Sequence, residues 1–286
     1  MKGKRVLITG ASDGIGKTAA LELARRGADL VITGRNETKT RAVLDQINAL
    51  GGDLDHAMLL ADLSSIQQTK DLAAEFLSGH RRLDVLLNNA GAAFQDYATS
   101  ADGIEMTFAL NHISYYLLGN LLLDALKRAG DINGEARMIN VSSSAHQQAR
   151  DGLNLDDPPA ASRFRGFRAY GESKLANLLF TYEMARRLEG ARVTVNAVHP
   201  GLVKTNIGSD ARGLTGAIFR VFQALFGTSP QKGAETLVYL AASPDVAGIS
   251  GKYWVDQKQS PSSSISHDRA QQRRLWEYSA EITGVG

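Results

Sequence analysis

The sequence predicts an α/β protein, a single doubly wound parallel sheet with helices on both faces. Three observations carry this expectation. Short apolar, β-branched runs alternate along the chain with longer segments of helical period, as in a parallel sheet whose crossovers are helices. The first run leads directly into a glycine-rich turn and a helix, Thr9-Gly10-Ala11-Ser12-Asp13-Gly14-Ile15-Gly16. A length of 286 residues is one that α/β sheet proteins routinely fill as one domain around a large core.

Seven strands are expected, over residues 5–9, 29–33, 56–61, 85–87, 136–141, 192–198 and 252–255. Seven helices follow them, over 15–26, 37–50, 65–78, 103–128, 170–188, 230–242 and 268–281. Ligands of such sheets gather outside the carboxyl ends of the strands, so the strand exits are where chemistry is expected. Two stretches break the rhythm, and both follow a strand. One, 145–168, holds Pro158-Pro159 and scattered arginines; the other, 208–228, carries Leu214, Ile218, Val221, Phe222 and Leu225 at helical spacing. The second predicts a lid over substrate at 205–228, and residues 256–286 read as a C-terminal extension.

Composition narrows the function classes. A formal charge of +2 implies no general affinity for nucleic acid. The absence of cysteine removes disulfides, thiolate metal ligands and a cysteine nucleophile, and six scattered histidines without a close pair predict no metal site. The apolar run after Lys2, Lys4 and Arg5 is too short for a signal peptide, and nowhere are there about 20 consecutive apolar residues for a transmembrane segment. A cytoplasmic protein is expected.

The glycine turn suits a dinucleotide. A helix N-terminus presents unpaired N–H groups and a positive dipole end, and glycines let a pyrophosphate approach the backbone. Gly10, Ser12, Asp13, Gly14, Ile15 and Gly16 are therefore expected to bind cofactor. At the end of the second strand, where NAD enzymes place a carboxylate on the ribose, stand Gly34 and then Arg35. An arginine there can pair with a 2′-phosphate, a charge-assisted contact of about 1.5–3 kcal/mol, so NADP(H) is the expected cofactor and Gly34→Asp is expected to turn preference toward NADH. Asp62-Leu63 after the third strand could meet an adenine edge, or Asp62 could cap the next helix. Asn89, Ala90 and Gly91, after the fourth, suit bracing backbone beside a ribose.

The proton chemistry is expected at Tyr170 and Lys174, four apart and so on one helix face. Free tyrosine titrates near 10; lowering that by roughly 3 units takes about 4 kcal/mol, which Lys174 together with an oxidised nicotinamide could supply. The run Ser142-Ser143-Ser144 ends the fifth strand, so a hydroxyl, a phenol and an ammonium can converge on one oxygen, the arrangement for hydride transfer at a carbonyl. His146 and His199 lie near this site, but Tyr170 already fills the proton-transfer role.

These motifs, in this order, resemble the short-chain dehydrogenase/reductase family over nearly the whole chain: Thr-Gly-x-x-x-Gly-Ile-Gly, Asn-Asn-Ala-Gly, the serines, Tyr-x-x-x-Lys and His199-Pro200-Gly201-Leu202-Val203-Lys204-Thr205. The resemblance implies a Rossmann-type fold, Tyr170 as general acid/base, Lys174 on the ribose and the phenol, and Ser143 on the carbonyl. It also implies that Asn111 holds a proton-relay water and that Pro200, Gly201, Val203 and Thr205 form the nicotinamide side of the pocket. Ser173-Lys174-Leu175-Ala176-Asn177 and the long interval between Ser143 and Tyr170 are similar to the retinol dehydrogenase and WW-domain oxidoreductase group. Asp13 departs from the base that some NADP-dependent members carry there. By the same resemblance, residues 170–188 and 230–242 correspond to helices that pair subunits into homodimers or homotetramers.

The expected function is NADP(H)-dependent interconversion of an alcohol with a ketone or aldehyde, on a lipophilic small molecule. Two alternatives stand beside it: reduction of a carbon–carbon double bond, which could use the same tyrosine and lysine, and a non-catalytic NADP(H) sensor, which would keep the glycines but has no need for Ser143, Tyr170 and Lys174 together.

Overall fold

The structure is a computed structural model and describes residues 1–51, 54–156, 161–201 and 229–286. Eight strands form one sheet: β1 (Arg5–Ile8), β2 (Asp29–Gly34), β3 (Ala57–Leu60), β4 (Val85–Asn88), β5 (Ala136–Val141), β6 (Val193–His199), β7 (Tyr253–Val255) and β8 (Lys258–Ser260). Their order is β3-β2-β1-β4-β5-β6-β7-β8, so the direction of winding reverses between β1 and β4. The first seven strands run parallel, and β8 returns antiparallel on β7. This last hairpin is the departure from a wholly parallel sheet. Its two-residue turn puts Asp256 and Gln257 at positive φ, 47° and 61°, the backbone that matches strand twist.

The strand alternation sorts the core onto two faces. Val6, Ile8, Leu30 and Ile32 point to the side covered by α1 (Gly14–Arg25), α2 (Glu37–Asn48) and α8 (Pro230–Ala242), meeting Leu23, Ile47 and Leu237. Leu7, Val31, Leu86 and Met138 point to the other, covered by α3 (Ile66–Gly79), α5 (Ser114–Leu121), α6 (Leu123–Asn133) and α7 (Gly166–Arg187), meeting Phe76, Tyr115, Leu126 and Phe180. Side-chain oxygens start several of these helices: Asp13 accepts from Gly14 N at 2.7 Å and Asn36 from Lys39 N at 2.9 Å, satisfying N–H groups the helix leaves unpaired.

The continuous helix expected over 103–128 is broken. A short α4 (Met106–Phe108) passes into a π-helical turn, Ala109–Ile113, before α5, and α5 ends at Leu122 (φ −97°, ψ 3°). Ser114 Oγ donates to the Leu110 carbonyl at 2.6 Å, supplying a partner where the regular ladder is interrupted. α7 also starts four residues ahead of Tyr170. Gly166 permits this, because a Cβ there would overlap the Phe94 carbonyl.

The C-terminal extension ends in α9 (Arg269–Thr283), laid over α5 and α7. Trp276 stacks on Phe180 (centroids 6.1 Å apart, 24°) and meets Tyr116 edge-on (5.1 Å, 72°), while the Arg187 guanidinium lies 4.0 Å from its centroid. Tyr116 Oη donates to the Val285 carbonyl and Lys70 Nζ to that of Thr283, both at 2.8 Å. The part of α7 under Trp276, within a helix expected to pair subunits, is thus covered by the chain's own last helix. No helix among the described residues is long and apolar enough to cross a membrane.

Candidate active site

Where the sheet order reverses, the loops after β1, β2, β3 and β4 enclose a cavity of about 490 Å³. Gly10, Ser12, Asp13, Gly14, Ile15, Gly16, Arg35, Asp62, Leu63, Asn89, Ala90 and Gly91 all line it. Its floor is backbone packed on backbone. Gly10 has φ 66°, and a Cβ on it would stand 2.8 Å from Ala90 Cα; a Cβ on Gly16 would overlap the Gly10 carbonyl and the Asn89 amide. The loops are tied across this contact. Thr9 Oγ1 accepts from the N–H groups of Asn89 and Ala90 at 2.9 and 3.0 Å, and Asn89 Nδ2 donates to the carbonyls of Thr9 and Gly10 at 2.8 and 3.1 Å. A glycine floor at the N-terminus of α1 fits a pyrophosphate, so the residues present fit a dinucleotide.

Arg35 extends from the end of β2 with 68% of its side chain exposed, and its guanidinium lies 3.8 Å from Asp62 Oδ2. Asp62 does not cap α3. Its Oδ1 accepts from Ser64 N and Oγ, at 3.0 and 2.7 Å, and Ser65 caps the helix on Gln68 N. Lys39, in the first turn of α2, also lines the cavity. Sequence reasoning missed it, although a second cation four residues after Arg35 was a readable signal.

The serine run is sorted by continuation of the β5 alternation. Ser142 is buried, its Oγ donating to the Lys174 carbonyl at 2.8 Å, whereas Ser143 is half-buried and its hydroxyl bonds the Tyr170 phenol. Ser144 is exposed. His146 clamps Ser143 from behind: Nδ1 lies 2.6 Å from the Ser143 carbonyl, and Nε2 accepts from Ser263 N at 3.1 Å. With both ring nitrogens engaged by backbone, His146 is structural.

Lys174, almost fully buried, donates from Nζ to the Val141 carbonyl at 3.2 Å and stands 5.5 Å from the centroid of the Tyr170 ring. It reaches the cavity at Gly91, where a Cβ would lie 3.5 Å from its Nζ. Asn111 spends its side chain on bracing. Oδ1 accepts from Ala92 N, and Nδ2 donates to the Ala92 carbonyl and to Ser173 Oγ, each at 2.9 Å. The π-helical turn aims this amide at the β4 loop. Pro200 and Gly201 follow β6, which pairs with β5 as far as Val141 opposite Val198, so both leave the sheet at the same end as the serine run. Val203, Thr205 and the expected lid at 205–228 lie outside the described residues.

Burial dominates the electrostatics. It raises the Tyr170 phenol above its ordinary value, with the Ser143 hydrogen bond pulling back, and pushes Lys174 down to about 7. In the protein alone the phenol is therefore not lowered, against the simplest reading of Tyr-x-x-x-Lys, because both groups are taken out of water and their net effect is desolvation. Burial likewise pushes His199 down to about 4 and His112 to about 3. No group of three or more histidine and carboxylate side chains is arranged to hold a metal among the described residues.

A family model described as short chain dehydrogenase matches residues 4–155 and 159–213. Retinol dehydrogenase 14 of Mus musculus is 38% identical over 297 residues, covering 100% of this chain and 87% of that protein. Polyprenol dehydrogenase of Homo sapiens is 36% identical over 281 residues, covering 98% and 84%. Among solved structures, a short chain dehydrogenase from Burkholderia cenocepacia J2315 in complex with NADP is similar with a TM-score of 0.69 at 27% identity, covering 88% of this chain and 95% of that one. Similarity of this length, on a sheet that carries the same motifs in the same order, is that of common descent, and the chain belongs to the short-chain dehydrogenase/reductase family of oxidoreductases.

Proposed function

We propose that this protein interconverts an alcohol with an aldehyde or ketone by NADP(H)-dependent hydride transfer, on a lipophilic substrate. The observation that carries this reading is the meeting of the Ser143 hydroxyl, the Tyr170 phenol and the Lys174 ammonium beside a glycine-floored cavity. When bound, NADP(H) supplies or accepts the hydride. The turn from Gly10 to Gly16 would hold its pyrophosphate, and Arg35 and Lys39 its 2′-phosphate. On reduction Tyr170 Oη gives its proton to the carbonyl oxygen and on oxidation takes it back, while Ser143 Oγ donates a hydrogen bond to the same oxygen. Lys174 favours the tyrosinate that reduction leaves behind, and Asn111 holds the β4 loop and Ser173 in place around it.

Support for a lipophilic substrate comes from the retinol and polyprenol dehydrogenases, named for alcohols with long hydrocarbon chains. The test is a spectrophotometric screen of aldehydes, ketones and alcohols of increasing chain length with NADPH or NADP. Turnover that rises with chain length supports the reading. NADPH binding without turnover of any carbonyl or alcohol would replace it with a sensor, and turnover confined to conjugated double bonds would replace it with an enone reductase.

A further inference from the structure

The Lys174 ammonium stands near the rings of two tyrosines. Tyr170, four residues earlier on α7, has its ring centroid 5.5 Å from the ammonium; Tyr115, on α5, has its own 5.9 Å from the same nitrogen. Tyr115 is wholly buried, and its hydroxyl has no hydrogen-bond partner among the described residues. A phenol buried this way carries an unsatisfied polar group that phenylalanine would avoid. What it offers its surroundings is therefore the ring, whose face attracts a cation.

Lys174 has little else to keep it charged. Besides the two rings it meets the Val141 carbonyl of β5 at 3.2 Å and lies near Gly91 after β4, where a Cβ would stand 3.5 Å from the ammonium. Burial alone accounts for the displacement of its titration, with no carboxylate contributing. The titratable groups facing it are Tyr170 from α7 and Tyr115 from α5, both raised above the ordinary tyrosine value and so neutral where Lys174 titrates.

We propose that Tyr115 is a positioning residue whose ring face, together with that of Tyr170, holds the Lys174 ammonium in a slot lined by the two rings and favours its charged form. The purpose assigned to the slot rests on the acid/base role given to Tyr170 and Lys174 above; the slot itself does not. A tyrosine that only fills space between α5 and α7 would leave Lys174 indifferent to the electron density of its ring.

The test varies that density at constant shape. In the full-length protein carrying ¹³C-labelled lysine, the Lys174 side chain, assigned by its loss in Lys174→Met, is titrated by NMR in Tyr115→Phe and with trifluoro- and pentafluorophenylalanine at position 115. Tyr115→Phe is expected to titrate as the unmodified protein does. Progressive fluorination, which withdraws the negative face of the ring, should lower the midpoint stepwise, by on the order of half a pH unit, and the alkaline limb of the kcat profile should follow. A midpoint that stays fixed across the series overturns the slot, as does a drop already complete in Tyr115→Phe, which would assign the effect to the hydroxyl. A midpoint that moves while the kcat profile does not would uphold the slot and overturn the acid/base reading instead.

Discussion

Thr40 closes the end of β2 against Gly34. A Cβ on Gly34 would overlap the Thr40 hydroxyl, which is fully buried and donates to the Asn36 carbonyl at 2.8 Å. The slot where a carboxylate would select NAD is thus filled from α2, and Gly34→Asp is not the clean cofactor switch that the sequence suggests. It is expected to destabilise the fold by about 1–3 kcal/mol through overpacking, measured by urea unfolding.

Cofactor preference is better tested at the exposed cations. Arg35→Ala and Lys39→Ala should each weaken NADPH binding by roughly ten- to a hundredfold and leave NADH binding within about twofold, as followed by nicotinamide fluorescence. Equal loss for both cofactors would place these side chains away from the 2′-phosphate.

Lys174 links activity to stability. Its pKa is displaced downward, to about 7 from 10.5, so between those values the unfolded chain binds the proton and the folded protein does not. The destabilisation is full below about 7 and is relieved as pH rises toward 10.5. Lys174→Met should therefore be more stable than the unmodified protein at pH 6.5, on the order of a few kcal/mol, with the gap closing by pH 10. Turnover should be lost throughout. Parallel pH dependence of the two proteins in urea unfolding would contradict the displaced titration.

Only one serine of the run should matter to chemistry. Ser143→Ala is expected to lower kcat by roughly 10²-fold, since it alone bonds the Tyr170 phenol, whereas the exposed Ser144→Ala should leave kcat unchanged. Steady-state kinetics on one carbonyl substrate decides this.

The C-terminal helix contributes stability rather than chemistry. Trp276→Ala removes a ring packed on Phe180, Tyr116 and Arg187 and should cost about 3–5 kcal/mol, lowering Tm by several degrees in differential scanning calorimetry.

Local motifs made much of this molecule legible. The glycine turn, the strand exits and the Tyr170–Lys174 spacing are properties of short segments, and the cavity gathers the residues read from the glycine turn and the exits of β2, β3 and β4. What escaped depends on distant contacts. The interruption of 103–128 lies in a segment of uninterrupted helical period; its Asn111 side chain is bonded to Ala92, 19 residues earlier, which no periodicity reveals. β8 has no apolar alternation and exists because Asp256 and Gln257 turn the chain back on β7. The pull of Lys174 on Tyr170, read from spacing alone, omitted the burial that the fold imposes on both.

If Tyr170 moves the proton, Tyr170→Phe, which deletes only the hydroxyl, removes the proton donor and leaves the ring in place. Single-turnover oxidation of bound NADPH by a carbonyl substrate should slow by at least about 10²–10⁴-fold, with NADPH affinity, followed by fluorescence, unchanged. Near-normal single-turnover rates in Tyr170→Phe, with cofactor bound and substrate saturating, would mean that another group donates the proton.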